Sequence, residues 1–332
     1  MRLLLPSIVV ALALAGAGTA ADEPSPGCTA DAGNCALLAL RGGGAMPYYR
    51  NRPIGGTQPA IRRAIVVVHG DSRVADGALN SVVGAASAAQ RAETIVVAPF
   101  FQPPRTDRPF QLAWNDGWKQ GGLSTDQGPQ APRRSSFQIL DAFLQQLATR
   151  ASFPNLKEIV VAGHSAGGQI VQRYAALSAL ESGLGVPVRY VVSNPGSYMY
   201  LNERRWINGA FRIPPQPLRQ VCPGWDRYRF GLDGRSGYAA EASRSRVLAQ
   251  YPARLVTYLL GEADTGQGNL DDSCSAALQG RHRFDRGKTL FAFMTEFFPG
   301  HRHRLVTVPG GTHSASDMYR SERGRQVLYP PV

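Results

Sequence analysis

The chain has 332 residues, 43% of them hydrophobic and 18% charged, with 36 Gly and 24 Pro. This balance excludes a disordered, collagen-like or low-complexity chain and fits a folded protein with a sizeable core. Lys+Arg 36 against Asp+Glu 24 gives +12, yet past Arg2 the arginines are scattered from Arg41 to Arg325 without a run of five or six, the pattern of a solvated basic surface rather than a nucleic-acid site.

Met1-Arg2 sets a positive charge before an apolar stretch from Leu3 to Leu14, broken only by Pro6 and Ser7, and small residues run from Ala15 to Ala21. The layout predicts a cleaved secretory signal over residues 1–21 and a secreted or periplasmic protein. No later stretch reaches the ~18 apolar residues of a membrane span, so no integral membrane segment is expected after cleavage. Ser25-Pro26-Gly27 before Cys28 lacks the aliphatic residue of a lipid-attachment site. In an oxidising compartment Cys28, Cys35, Cys222 and Cys274 are expected to form two disulfides. Three connectivities are open, and proximity along the chain favours Cys28–Cys35 with Cys222–Cys274. No CxxC or Cys-His spacing suggests zinc.

Residues 22–35 read as an extended arm, and Ala36–Leu40 and Pro47–Arg50 as short edge strands. Ala64–Val68, a β-branched run leading into His69-Gly70, predicts a strand covered on both faces. A small-residue helix over 75–92 and a second buried strand, Thr94–Ala98, follow. Between them and the next helix, Trp114-Asn115-Asp116-Gly117-Trp118 either lines a pocket or simply packs. Phe137, Ile139, Leu140, Phe143, Leu144 and Leu147 recur with helical period and predict a helix over 135–151. Next come a strand over Glu158–Ala162, a Gly-rich turn and a helix over 166–177. Further strands are predicted at Arg189–Val192, Arg254–Leu260 and Arg304–Val308, with a helix near 288–298.

Strands alternating with helices predict an α/β fold: a mostly parallel central sheet with helices on both faces. Residues 196–250 break the rhythm. They are rich in Pro, Arg and aromatic residues and contain Cys222. So long a segment predicts an inserted lid or cap, leaving residues 22–332 as a single domain.

The informative stretch is Gly163-His164-Ser165-Ala166-Gly167, a G-x-S-x-G motif directly after a predicted buried strand and directly before a helix. A sharp strand-to-helix turn there strains the serine backbone and lifts its hydroxyl above the sheet, at the positive end of the helix dipole. Gly163 and Gly167 suit the turn because a Cβ would clash where the chain doubles back.

From about Ala64 to Ser316 the chain resembles the α/β-hydrolase superfamily, through His69-Gly70, the Gly163–Gly167 motif, an acid after a late strand and a histidine after the last. The superfamily order of serine, acid, histidine points to Ser165 as nucleophile, Asp264 as acid and His313 as base. Asp271 and Asp272, in the same loop as Asp264, compete for the acid role. The resemblance also implies an oxyanion hole from the backbone N–H groups of Ala166 and Asp71. Asp71 departs from the H-G-G-G pattern of lipases and must turn its carboxylate away. A serine at this turn, where dehalogenases and epoxide hydrolases carry aspartate and dienelactone hydrolases cysteine, implies acyl transfer.

The expected function is an exported serine esterase or lipase-like hydrolase that works through an acyl-enzyme, with no metal or organic cofactor. Its substrate is a small-molecule or polymeric ester. A serine peptidase or amidase of the same fold, and a non-catalytic binding protein that retains it, are the alternatives. His301-x-His303 has metal-like spacing but no third ligand at helical spacing. Oligomeric state is not legible.

Overall fold

A computed structural model describes residues 25, 28, 33–108 and 110–331; the predicted signal over 1–21 lies outside them. In chain order the strands are β1 (Cys35–Ala39), β2 (Ala45–Arg50), β3 (Arg63–Val68), β4 (Thr94–Pro99), β5 (Glu158–His164), β6 (Val188–Ser193), β7 (Arg205–Ile207), β8 (Ala210–Arg212), β9 (Leu255–Gly261) and β10 (Arg304–Val308). The helices are α1 (Ala75–Val83), α2 (Ala88–Ala92), α3 (Ser136–Leu147), α4 (Ala166–Leu177), α5 (Gln216–Val221), α6 (Tyr238–Glu241), α7 (Arg244–Ala253), α8 (Cys274–Ala277), α9 (Arg283–Phe297), α10 (Ala315–Arg320) and α11 (Glu322–Leu328).

Eight strands form one sheet in the order β1-β2-β4-β3-β5-β6-β9-β10. β1 and β2, and β2 and β4, pair antiparallel; every pair from β4 to β10 is parallel. The period of two sorts the side chains to the two faces. Ala64, Val66, Val68, Ile159 and Val161 pack beneath α3, α4, α7 and α9. Ile65, Val67, Val160 and Ala162 pack beneath α1, α10 and α11. Burial on both faces explains the unbroken apolar runs: each such Val or Ile contributes roughly 1.5–3 kcal/mol. β3 lies between β4 and β5, so the strand order reverses there and opens a crevice at the carboxyl ends of β3 and β5.

The helix predicted over 75–92 is two helices. The first stops at Gly84, and Ser87 starts the second with a capping box to Gln90. α9 begins at Arg283, five residues before the predicted start, because His282 caps it by accepting the Asp285 N–H. α10 and α11, short and polar, had no predicted counterpart.

Cys28–Cys35 and Cys222–Cys274 are the two disulfides. In the 196–250 segment β7 and β8 form a hairpin, and the chain around it wraps Arg205. Arg205 is fully buried, stacks over Tyr200 and Trp225, and donates to the carbonyls of Trp225 and Phe230 and to Asp226. Phe211 carries the hairpin onto Phe293 and Phe297 of α9.

Candidate active site

The β5–α4 turn holds Ser165 at φ 57° and ψ −119°, a left-handed conformation that a non-glycine residue adopts only under constraint. The constraint is packing. A Cβ on Gly163 would overlap the Gly167 carbonyl, and one on Gly167 would overlap the carbonyls of Val68 and His69. Any larger residue at either position would push α4 off the sheet and relax the turn.

The structure brings Ser165, His313 and Asp264 together from three strand ends. Ser165 follows β5, Asp264 follows β9, and His313 follows β10. Ser165 Oγ lies 3.0 Å from His313 Nε2, and His313 Nδ1 lies 2.7 Å from Asp264 Oδ2. Asp264 is 2% exposed while the His313 side chain is 31% exposed: the carboxylate is sealed and the imidazole reaches the surface. Asp271 is engaged elsewhere, accepting from the Ser273 N–H and hydroxyl and facing Arg229 at 3.5 Å.

Sequence reasoning missed Arg283. Its side chain, 2% exposed, places Nη1 3.6 Å from Asp264 Oδ1 and donates through Nη2 to the Gly268 carbonyl at 2.7 Å. A buried carboxylate is costly unless compensated, and Arg283 supplies the opposite charge. No local pattern announces it, since Arg283 is the first residue of α9 and meets Asp264 only through the tertiary fold.

On the other side of Ser165, His69 fixes the β3–α1 loop. Its Nε2 accepts the Phe101 N–H at 3.1 Å, so the ring's single proton sits on Nδ1 and is donated to Gly70 O at 2.8 Å. Burial lowers its pKa to about 4, which keeps this neutral tautomer in place. The Arg73 N–H also donates to Gly70 O. In a trans peptide C=O and N–H point oppositely, so holding Gly70 O turns the Asp71 N–H the other way. Gly70 lies against Ser165; a Cβ on it would sit 3.8 Å from the serine Cβ. Among the described residues neither the Asp71 nor the Ala166 N–H donates to a protein acceptor. The Asp71 carboxylate is drawn aside by Lys119, with Nζ 2.8 Å from Oδ1.

Trp114 and Trp118 are fully buried and do not line the cleft; Trp118 stacks on Phe101 and backs His69 at 4.8 Å. His164 is buried behind His313, its ring 4.7 Å from that of His313, with Nδ1 on Ser193 Oγ. Burial, then the nearby His313, hold its pKa well below the ordinary range, so it stays neutral. His303 uses both ring nitrogens on Tyr258 and Tyr251, which leaves neither free for a metal.

A cleft of about 440 Å³ opens beside the serine, lined by Gly70, Ser72, Gly77, Ser165, Asn269 and His313 among others. No lining residue comes from 196–250; that segment reaches the site's surroundings through the Arg229–Asp271 pair and the Cys222–Cys274 disulfide.

No protein-family model matches the chain, and no curated protein matches it. Among solved structures, the chain is similar to poly(aspartic acid) hydrolase-1 from Sphingomonas sp. KT-1, with 22% identity, a TM-score of 0.63, and 92% of this chain and 99% of that one covered. It is also similar to LpqC, a poly(3-hydroxybutyrate) depolymerase from Bordetella parapertussis, with 20% identity, a TM-score of 0.59, and 86% and 84% covered. By its sheet order and these likenesses the chain has the α/β-hydrolase fold.

Proposed function

We propose that the protein is an exported serine hydrolase that cleaves carboxylic esters through an acyl-enzyme. The observation that carries this reading is the continuous path from Ser165 Oγ through His313 to Asp264, beside two unbonded backbone N–H groups. Ser165 Oγ attacks the ester carbonyl while His313 Nε2 takes its proton. Asp264 holds the Nδ1–H and stabilises the imidazolium; the neutral His164 adds no opposing charge. The Asp71 and Ala166 N–H groups receive the oxyanion, each worth ~3 kcal/mol in the transition state. Collapse expels the alcohol, which takes the proton from His313, and water then cleaves the acyl-enzyme by the same route. The two disulfides support export, since such bonds persist in oxidising compartments.

The names of the two similar proteins favour a polymeric substrate, and they keep amide cleavage as the second reading. The test is turnover of p-nitrophenyl esters, poly(3-hydroxybutyrate) and poly(aspartic acid) by the purified protein and by Ser165→Ala. Serine-dependent release from the esters supports the proposal; release from poly(aspartic acid) alone moves it to amide hydrolysis. Absence of turnover on all three, with Ser165 unlabelled by an active-site phosphonate, leaves a binding protein.

A further inference from the structure

The end of the sheet opposite Ser165 carries a second cleft, of about 470 Å³, at the first residues of β6, β9 and β10. Strand register sets Arg189 beside Leu255 and Arg304 beside Thr257 along this edge. Arg302 and Arg323 complete a lining of four arginines against one acid, Glu158. Glu158 is already committed: it faces Arg63 Nε at 2.5 Å and Arg189 Nε at 2.7 Å. Glu322, next to Arg323, accepts a hydrogen bond from Gln326. Arg302, Arg304 and Arg323 are exposed, and among the described residues their guanidinium groups have no hydrogen-bond or ion-pair partner. The basic character continues along the edge, where Arg62, Arg63 and Lys157 line two neighbouring hollows against Glu93.

Isolated arginines on a surface are normally just hydrated. Here three unneutralised guanidinium groups line one cleft together with the apolar side chains of Leu255, Val306, Val327 and Pro331. Like charges gathered this way repel one another, and an anion relieves that repulsion. We infer that this cleft is a non-catalytic binding site for a polycarboxylate chain: carboxylates engage the arginine forks, and the less polar backbone between them lies against the apolar side chains of the lining.

Other polyanions fit less well. The lining has no aromatic side chain on which the bases of a single strand would stack. A lipid surface would be met by protruding apolar side chains, but the exposed large ones, Phe110, Leu123, Trp206, Ile213 and Val221, line none of these three hollows. Polyphosphate would leave the apolar side chains of the lining uncovered. A chain bound here would lie about 20 Å from Ser165, the length of the seven-residue β5, so it would tether the protein without blocking the cleft at the serine. The inference does not depend on the chemistry at Ser165.

The test is binding of fluorescein-labelled poly(acrylic acid), which carries carboxylates on a backbone the protein has no bond to hydrolyse. Anisotropy is measured over a salt series with the full chain and with the combined variant Arg302→Gln, Arg304→Gln, Arg323→Gln. The expected result is a loss of about tenfold or more in affinity and a flatter salt dependence, with unchanged thermal midpoint and unchanged ester turnover. A control variant, Arg212→Gln, Arg219→Gln, Arg246→Gln, removes the same charge from the 196–250 segment. An equal loss in the control, or none in the first variant, overturns the site. Tighter binding to polyphosphate or to phosphatidylglycerol vesicles than to poly(acrylic acid) overturns the assigned partner.

Discussion

Lys119 Nζ stands 2.8 Å from Asp71 Oδ1, and this ion pair ties the short helical turn Asp116–Gln120 to the loop whose N–H is proposed to hold the oxyanion. A carboxylate beside a developing negative charge opposes it, so the pair has a cost to prevent as well as a loop to hold. Lys119→Met is expected to lower kcat by about tenfold, a fraction of what losing an oxyanion donor costs. Adding Asp71→Asn is expected to restore most of that loss. A double variant as slow as the single one would show that Lys119 acts only on loop packing.

Asp264 is the proposed acid because it contacts His313, and substitution separates it from Asp271. Asp264→Asn is expected to reduce kcat by as much as about 10⁴, while Asp271→Asn stays within about threefold because Asp271 faces Ser273 and Arg229. Steady-state kinetics on a soluble ester checks the order, and the reverse order moves the acid to Asp271. Arg283→Gln leaves Asp264 buried without its charge partner. It is expected to cost about 3 kcal/mol or more of stability, read as a lowered urea midpoint.

Acid should unfold the protein through its histidines. Burial lowers both His69 and His303 to about 4. The unfolded chain takes up these protons near pH 6.5 and the folded one only near pH 4, so acidification through that window favours unfolding. Each histidine contributes a loss of up to about 3 kcal/mol by the lower end. Urea midpoints should therefore fall between about pH 6.5 and pH 4, and His303→Gln should flatten that fall. An unchanged slope in the variant would remove His303 from the account.

The two disulfides close loops of different length, with sequence separations of 52 and 7. Loop entropy assigns about 4 kcal/mol to Cys222–Cys274 and about 2.5 kcal/mol to Cys28–Cys35. Replacing Cys222 and Cys274 by serine is expected to lower the denaturation midpoint more than replacing Cys28 and Cys35. It should also raise KM, because the 262–274 loop carries Asp264 and Asn269. Equal midpoints would contradict the ranking.

Features set by local pattern were legible in the sequence. The β-branched runs of β3, β4 and β5 and the glycines around Ser165 are such features, and α4 spans Ala166–Leu177, as expected after the Gly-rich turn. The break between α1 and α2 was also written there, in Ser87 and Gln90, but an unbroken run of small residues hides a capping box. Arg283, Lys119 and the tautomer of His69 were not legible, because each is defined by a partner that only the folded chain supplies: Asp264, Asp71 and Phe101. Likewise, scattered arginines read as a solvated surface, and only strand register gathers Arg189 and Arg304 at one edge.

Reaction of the purified protein with a fluorophosphonate probe, followed by mass mapping of the adduct, tests the central proposal most directly. A single adduct on Ser165, formed in step with loss of ester turnover and absent from His313→Ala, is the predicted result. Turnover that survives stoichiometric labelling of Ser165, or an adduct on another residue that tracks the loss, would contradict it.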